Sequence, residues 1–341
     1  MSARLESTPP LSPRLAAHEP QLDQLVSRFW EDAVEVDAAP AVPAAHLDAM
    51  AALGLYGALA PRAQGGMGLT PADLPAVTER LASGSLASAF VWVQHLRLLR
   101  GVLDPAAPAH LKAWLPQIAG GAIKGGIALV GLMPGPPRLT ATPTPSGWRL
   151  DGEAPWVSGW GMIAVLLVTA RGPGRTTVSL VMDAEPQAGL TVRPARLAAM
   201  NATATVHLAF DAVAVGRSRL LSSVPQEDRP EGEGLRNTGS LALGLVRRCC
   251  QLLGPTDLDA ALADCRAQLD AASVDAMPKA RAAASALAVQ AAHAVAVAHG
   301  SRAALWGEPA ERLQREAAIL LVFGSRPGIK QALADHFTSH T

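Results

Sequence analysis

The hydrophobic period changes twice along this chain, and that double change restricts the fold more than any single motif. Over residues 21–120 apolar side chains recur at i, i+3 and i+4, and several runs open on Pro, Ser or Thr. That spacing predicts helices over 21–36, 43–53, 71–82, 85–103 and 107–119. Between 122 and 232 the period drops to two. Runs at 127–132, 138–142, 148–150, 154–157, 162–170, 177–182, 190–194 and 204–210, parted by turn residues, predict a small β-sandwich or barrel. The period then returns to that of a helix over 237–254, 256–272, 277–304, 309–323 and 327–338, the pattern of a helical bundle. The expected organisation is α+β and multidomain: an N-terminal helical domain over 1–121, a middle β domain over 122–232 and a C-terminal helical bundle over 233–341. The polar, acidic stretch 225–234 reads as a linker.

Composition narrows the partners. Hydrophobic residues make up 49% of the chain but aromatics only 4%, so Ala, Leu and Val must build the core, and Ala-rich helices pack closely. Lys plus Arg equals Asp plus Glu at 29 each, which gives no global field to draw nucleic acid or a membrane surface. No stretch reaches ~18 uninterrupted apolar residues, so no membrane partner is expected. Cys249, Cys250 and Cys265 have no metal-site spacing and are odd in number, so neither a metal site nor a disulfide framework is expected, and a reducing cytoplasm is the simplest setting. The cysteines, with His95 and His293 in apolar helices and Tyr56, Trp160 and Trp306, read as packing residues.

The segment Gly147 to Gly159 carries the chemical information. Asp151-Gly152 between alternating runs signals a hairpin whose second strand ends in Trp156-Val157-Ser158. Residues i and i+2 share a strand face, so Trp156 and Ser158 are expected to point the same way. An indole beside a hydroxyl suits a flat heteroaromatic ligand such as a flavin. A core aromatic beside a solvated Ser satisfies the same pattern.

Five segments in order resemble the acyl-CoA dehydrogenase superfamily over nearly the whole chain. They are Leu53 to Leu69 with its Gly-rich loop, Glu79 to His95, Gly147 to Ser158, Thr205 to Val215, and Glu311 to Ala317. The resemblance implies an FAD held between the β domain and the helices, with Trp156, Val157 and Ser158 at the isoalloxazine. It also implies that the backbone of Leu129, Val130 and Gly131 serves the pyrimidine edge. An acyl thioester or similar small molecule would be the substrate, and a homo-oligomer, a dimer before a tetramer, the assembly.

The chain departs from the family pattern at three places. Ala128 to Pro136 lacks the family's acidic and hydroxyl residues, and Cys265 to Lys279 lacks the segment that reaches a neighbour's FAD diphosphate. Removing a charge-assisted hydrogen bond to a phosphate costs about 1.5–3 kcal/mol. Gly324 stands where the family's carboxylate base is expected. Glu233 is then the candidate base, with a solvated linker residue as its plainer reading, and Arg326 is a candidate for binding an anionic substrate or for capping the preceding helix. Two functions stay open: a flavoprotein oxidoreductase with its usual Glu absent, or a non-catalytic scaffold or binding protein of the same fold that has lost FAD.

Overall fold

The computed structural model describes residues 11–133, 135–226, 234–324 and 326–338. Its N-terminal helices are α1 (Pro13–Ala16), α2 (Glu19–Glu31), α3 (Ala33–Ala38), α4 (Ala44–Ala52), α5 (Leu74–Gly84), α6 (Leu86–Leu103), α7 (Ala109–Lys112) and α8 (Leu115–Ala119). The run expected as one helix over 21–36 breaks at Asp32, whose ψ of 0° ends α2. Ser85 separates α5 from α6 and caps α6, its Oγ accepting the Ser88 N–H.

Eight strands follow: β1 (Gly125–Ala128), β2 (Leu139–Thr144), β3 (Gly147–Val157), β4 (Val165–Gly172), β5 (Thr176–Asp183), β6 (Leu190–Pro194), β7 (Val206–Gly216) and β8 (Leu220–Pro225). They form one sheet in the order β6-β7-β3-β2-β4-β5-β8, with β1 joined to β4 in parallel. The expected barrel is corrected here, because β6 and β8 end the sheet without pairing to each other and the sheet stays open. The Asp-Gly hairpin is corrected as well. β2 turns into β3 at residues 144–147, and Asp151-Gly152 lies inside β3 opposite a bulge in β7, where Asp211 and Ala212 together face Asp151. Gly152 has φ +126°, and a Cβ there would stand 2.1 Å from the Arg138 carbonyl oxygen. Glycine at this position therefore marks a kink in a continuous strand.

The C-terminal helices are α9 (Leu235–Leu253), α10 (Asp257–Ala271), α11 (Met277–His299), α12 (Pro309–Val322) and α13 (Pro327–Thr338). The segment Met277–Ala304 is long and apolar enough to cross a membrane by length and composition. In this fold α11 packs against α9, α12 and α13, and it buries a charged residue, Arg281. One apolar core runs through both helical layers, and a second fills the inner face of the sheet. The helical layers are also joined by charge: Glu79 of α5 holds Arg266 of α10 through two hydrogen bonds of 3.0 and 2.8 Å.

Candidate active site

β3 breaks its own alternation just before it ends. Trp156 adopts φ +63°, and the register against β7 shifts between Ala154 and Val157. The bulge overturns the expected shared face. Trp156 is turned outward and 66% exposed, Val157 is in the sheet core, and Ser158 is 5% exposed. A left-handed backbone is strained for a bulky residue, at about 1–3 kcal/mol. That strain holds an indole out of the core, where its nearest aromatic neighbour is His207 of β7, edge-on at 5.0 Å.

Ser158 opens a row of hydroxyls. Its Oγ is 2.7 Å from Thr205 Oγ1, which is 2.8 Å from Thr203 Oγ1, and Thr203 donates to the Met200 carbonyl at 2.9 Å. The carbonyl fixes the direction: Thr203 gives it the only proton it has, so Thr205 donates to Thr203 and Ser158 to Thr205. Ser158 is left with acceptor lone pairs alone. The loop that carries the threonines is strained too, with φ +61° at Met200 and +45° at Ala204. Three strained non-glycine residues therefore surround one hydroxyl row, the concentration that functional sites show.

α6 runs close to the end of this row. A Cβ placed on Gly126 of β1 would lie 3.3 Å from the Ser158 carbonyl oxygen, and one on Gly159 would lie 3.7 Å from Val91 of α6. The next residue back, Phe90, meets Phe323 edge-on at 4.6 Å. Residues 90 and 91 of one helical turn thus touch the turn at Phe323-Gly324 and the loop after Ser158. Gly324 has φ +59°, and nothing lies within 4 Å of a Cβ built on it. Behind Phe323, Arg281 is 1% exposed and its guanidinium stands 6.0 Å from the ring. Burial lowers its pKa to about 10. Arg281 and Ser285 both donate to the Leu320 carbonyl in the last turn of α12, where the helix dipole favours a cation.

Leu129, Val130 and Gly131 lie at the end of β1 and in the 3₁₀ turn Val130–Leu132. Two amides of this segment are already engaged: Gly131 N–H donates to Thr169 Oγ1 at 3.1 Å, and Leu132 N–H donates to the Leu129 carbonyl. Gly131 is pressed against β4, with only 2.6 Å between a Cβ placed on it and the Ala170 nitrogen. The expectation that Gly131 offers its amide to a ligand is corrected on that ground. Arg326 stands immediately before α13 and contributes its carbonyl to that helix, accepting from Lys330 N–H. Glu233 lies outside the described residues.

The packing residues divide. His95 is buried, its Nε2 3.0 Å from the Tyr56 carbonyl and its Nδ1 accepting from Gly125 N–H, and burial lowers its pKa to about 4. Tyr56 and the three cysteines are buried, Cys265 with its thiol pushed up to about 11 by burial. Trp306 is corrected: it is exposed, with the Arg315 guanidinium 4.4 Å from its ring centroid. Thr203, Thr205 and His207 were not expected at the site. The alternation through Thr203, Thr205 and His207 was their one signal, and it says nothing of neighbours across strands.

Residues 17–122 match the family model for the acyl-CoA dehydrogenase N-terminal domain. The mitochondrial very long-chain specific acyl-CoA dehydrogenase of Bos taurus is 25% identical over 218 residues, 58% of this chain and 33% of that protein. The chain spans about a third of the length of the curated relatives it matches. Among solved structures, butyryl-CoA dehydrogenase from Megasphaera elsdenii superposes with a TM-score of 0.78 at 15% identity, covering 97% of this chain and 99% of that one. Nitrososynthase from Micromonospora carbonacea var. africana gives 0.77 at 21% identity, covering 99% and 98%.

Proposed function

For a chain that the family model, the relatives and the fold together assign to the acyl-CoA dehydrogenase superfamily, we propose the function of a flavin-dependent oxidoreductase acting on an acyl thioester or similar small molecule. The observation that carries this reading is Trp156. A strained backbone presents an exposed indole beside the Ser158–Thr205–Thr203 hydroxyl row, which suits a flat ring with a polar edge. Family members bind FAD or FMN. A flavin held here would supply an acceptor for two electrons. Trp156 would hold its ring, Ser158, whose proton is committed to Thr205, would offer an oxygen lone pair to a ring N–H, and Leu129 and Val130 would help to hold it.

Gly324 shapes the chemistry. With no side chain at Gly324 itself and open space beside it, the substrate is one that gives up no proton to a carboxylate at that position. Oxygenation or oxidation of a small molecule fits that condition, and the name of the nitrososynthase with the same fold points the same way. The family often forms oligomers, and the exposed apolar residues Val297, Leu305 and Trp306 support a homodimer through the C-terminal bundle.

One observation favours the second reading, a retained fold without flavin: the engaged Gly131 and Leu132 amides leave fewer donors for a pyrimidine edge. An absorption spectrum of gently purified protein, followed by titration with FAD and with FMN, separates the two. A flavin band, or micromolar binding that Trp156→Ala weakens at least tenfold, is expected. No binding at millimolar flavin would leave the scaffold.

A further inference from the structure

Four arginines are buried among the described residues, and three of them meet a carboxylate: Arg80 meets Glu19 and Asp23, Arg266 meets Glu79, and Arg312 meets Glu316. The fourth, Arg281 of α11, is 1% exposed and meets none among the described residues. The ionisable group that acts on it is the Cys265 thiol of α10, which burial keeps neutral. Arg281 Nη1 donates to Ser285 Oγ, and Nη2 donates to the Leu320 carbonyl at 3.4 Å, a long bond. A guanidinium has five N–H donors, and the end of α12 supplies about half an elementary negative charge. Much of the positive charge is left uncompensated. Burying such a charge is costly unless a counter-charge meets it.

The stem of Arg281 is packed against α9, where a Cβ placed on Gly239 would lie 3.6 Å from Arg281 Cδ and 3.0 Å from the Leu269 side chain of α10. The charge reaches the surface at the turn after α12. Phe323, half-buried, has its ring 6.0 Å from the guanidinium, and Gly324 beside it is exposed, with no atom within 4 Å of a Cβ built on it. A hydrocarbon ring transmits a field that water of the same thickness would screen. A ligand group seated at Gly324 lies next to that ring. A cation there is repelled, a neutral group gains nothing from the charge, and an anion is drawn in.

We propose that the space at Gly324 is an anion subsite: the substrate places a carboxylate, or another acid group of similar size, at this turn, and Arg281 selects it by charge across the Phe323 ring. The absent side chain leaves the room, and the buried guanidinium supplies the sign. Arg281 is then a specificity-determining residue that acts through its field rather than by contact. Reading the bound group as part of the substrate rests on the function proposed above; the subsite itself does not depend on flavin.

Titration of the full chain, free of flavin, with para-nitrobenzoate and with neutral para-nitrobenzamide tests it. The acid is expected to bind at least tenfold more tightly than the amide. Arg281→Gln, which keeps a donor for the Leu320 carbonyl but carries no charge, removes the preference, and Arg281→Lys, which keeps the charge, retains it. Equal binding of the two probes by the wild type overturns the subsite, and so does a preference that survives Arg281→Gln. If neither probe binds at millimolar concentration, or the Arg281 variants do not fold, a tethered anion decides. Asp and Asn both tolerate the left-handed backbone that Gly324 adopts, so Gly324→Asp should show an unfolding constant at least threefold smaller than Gly324→Asn at neutral pH, and equal constants overturn the subsite. A failure to bind flavin leaves each of these outcomes as it stands and counts only against the function proposed above.

Discussion

Removing the Glu79 carboxylate from between the helical layers should weaken the fold by a predictable amount. Glu79 is 3% exposed and forks onto Arg266 through two charge-assisted hydrogen bonds, with Arg247 Nη1 3.9 Å from the same oxygen. Bonds of this kind contribute about 1.5–3 kcal/mol each, and breaking a buried pair by deleting one member costs about 3–5 kcal/mol because the remaining charge stays buried. The side chains of Arg266 and Arg247 keep 10% and 12% exposure, and Arg247 also feels Asp23, so Glu79→Ala should sit near the lower end, about 3 kcal/mol. That is a large share of the roughly 5–15 kcal/mol that holds a typical domain together. Urea unfolding followed by circular dichroism reads it as a lower midpoint. The double variant Glu79→Leu/Arg266→Met tests the reason for the loss. If stranded charge causes it, the double variant recovers most of the stability; if lost packing does, the double variant is no better than Glu79→Ala. A single-variant loss under about 1 kcal/mol, or a double variant as weak as the single, refutes the reasoning.

Three further outcomes are expected. Gly131→Ala places a methyl 2.6 Å from the Ala170 nitrogen and should lower stability by about 1–3 kcal/mol, measured by the same unfolding curves. Trp156→Gly relieves the φ of +63° and should leave stability unchanged or slightly raised while flavin binding by fluorescence titration drops at least tenfold; equal binding would detach the indole from the site. His95, lowered by burial from 6.5 to about 4, is neutral when folded, so its contribution is present above pH 6.5 and lost as pH falls toward 4. Stability should therefore decline through that window in the wild type, and a His95→Gln variant that declines by the same amount would assign the loss to other groups.

The helices were legible because each buries one face, and an apolar stripe at i, i+3 and i+4 records that directly. Ser85 shows how far this goes: a residue that favours the cap position separates two helices that the spacing already marked at 85. The sheet was less legible because turn residues have two uses. Asp151-Gly152 has the composition of a hairpin, yet β7 pairs on both sides of it and keeps it inside one strand. Closure of a barrel is likewise decided by whether β6 reaches β8, a distance that no local pattern contains.

The site was legible in its residues and hidden in its directions. Trp156 and Ser158 were found by spacing, but spacing assumes a regular strand, and at Trp156 the strand is irregular. A regular strand end would have put indole and hydroxyl on one face and required a single ligand to meet both from one side. The bulge instead exposes the ring and buries the hydroxyl against Thr205. Under the proposed function, a ligand that uses both residues would lie along the indole while only its edge approaches Ser158. A thin ring with polar atoms on its rim meets that condition, which is stricter than the two residue types alone impose. Ser158→Ala keeps the indole and removes the rim acceptor. It should therefore weaken an intact flavin while leaving binding of a bare aromatic probe to Trp156 unchanged, and an equal loss for both ligands would show that the two residues act as one surface after all.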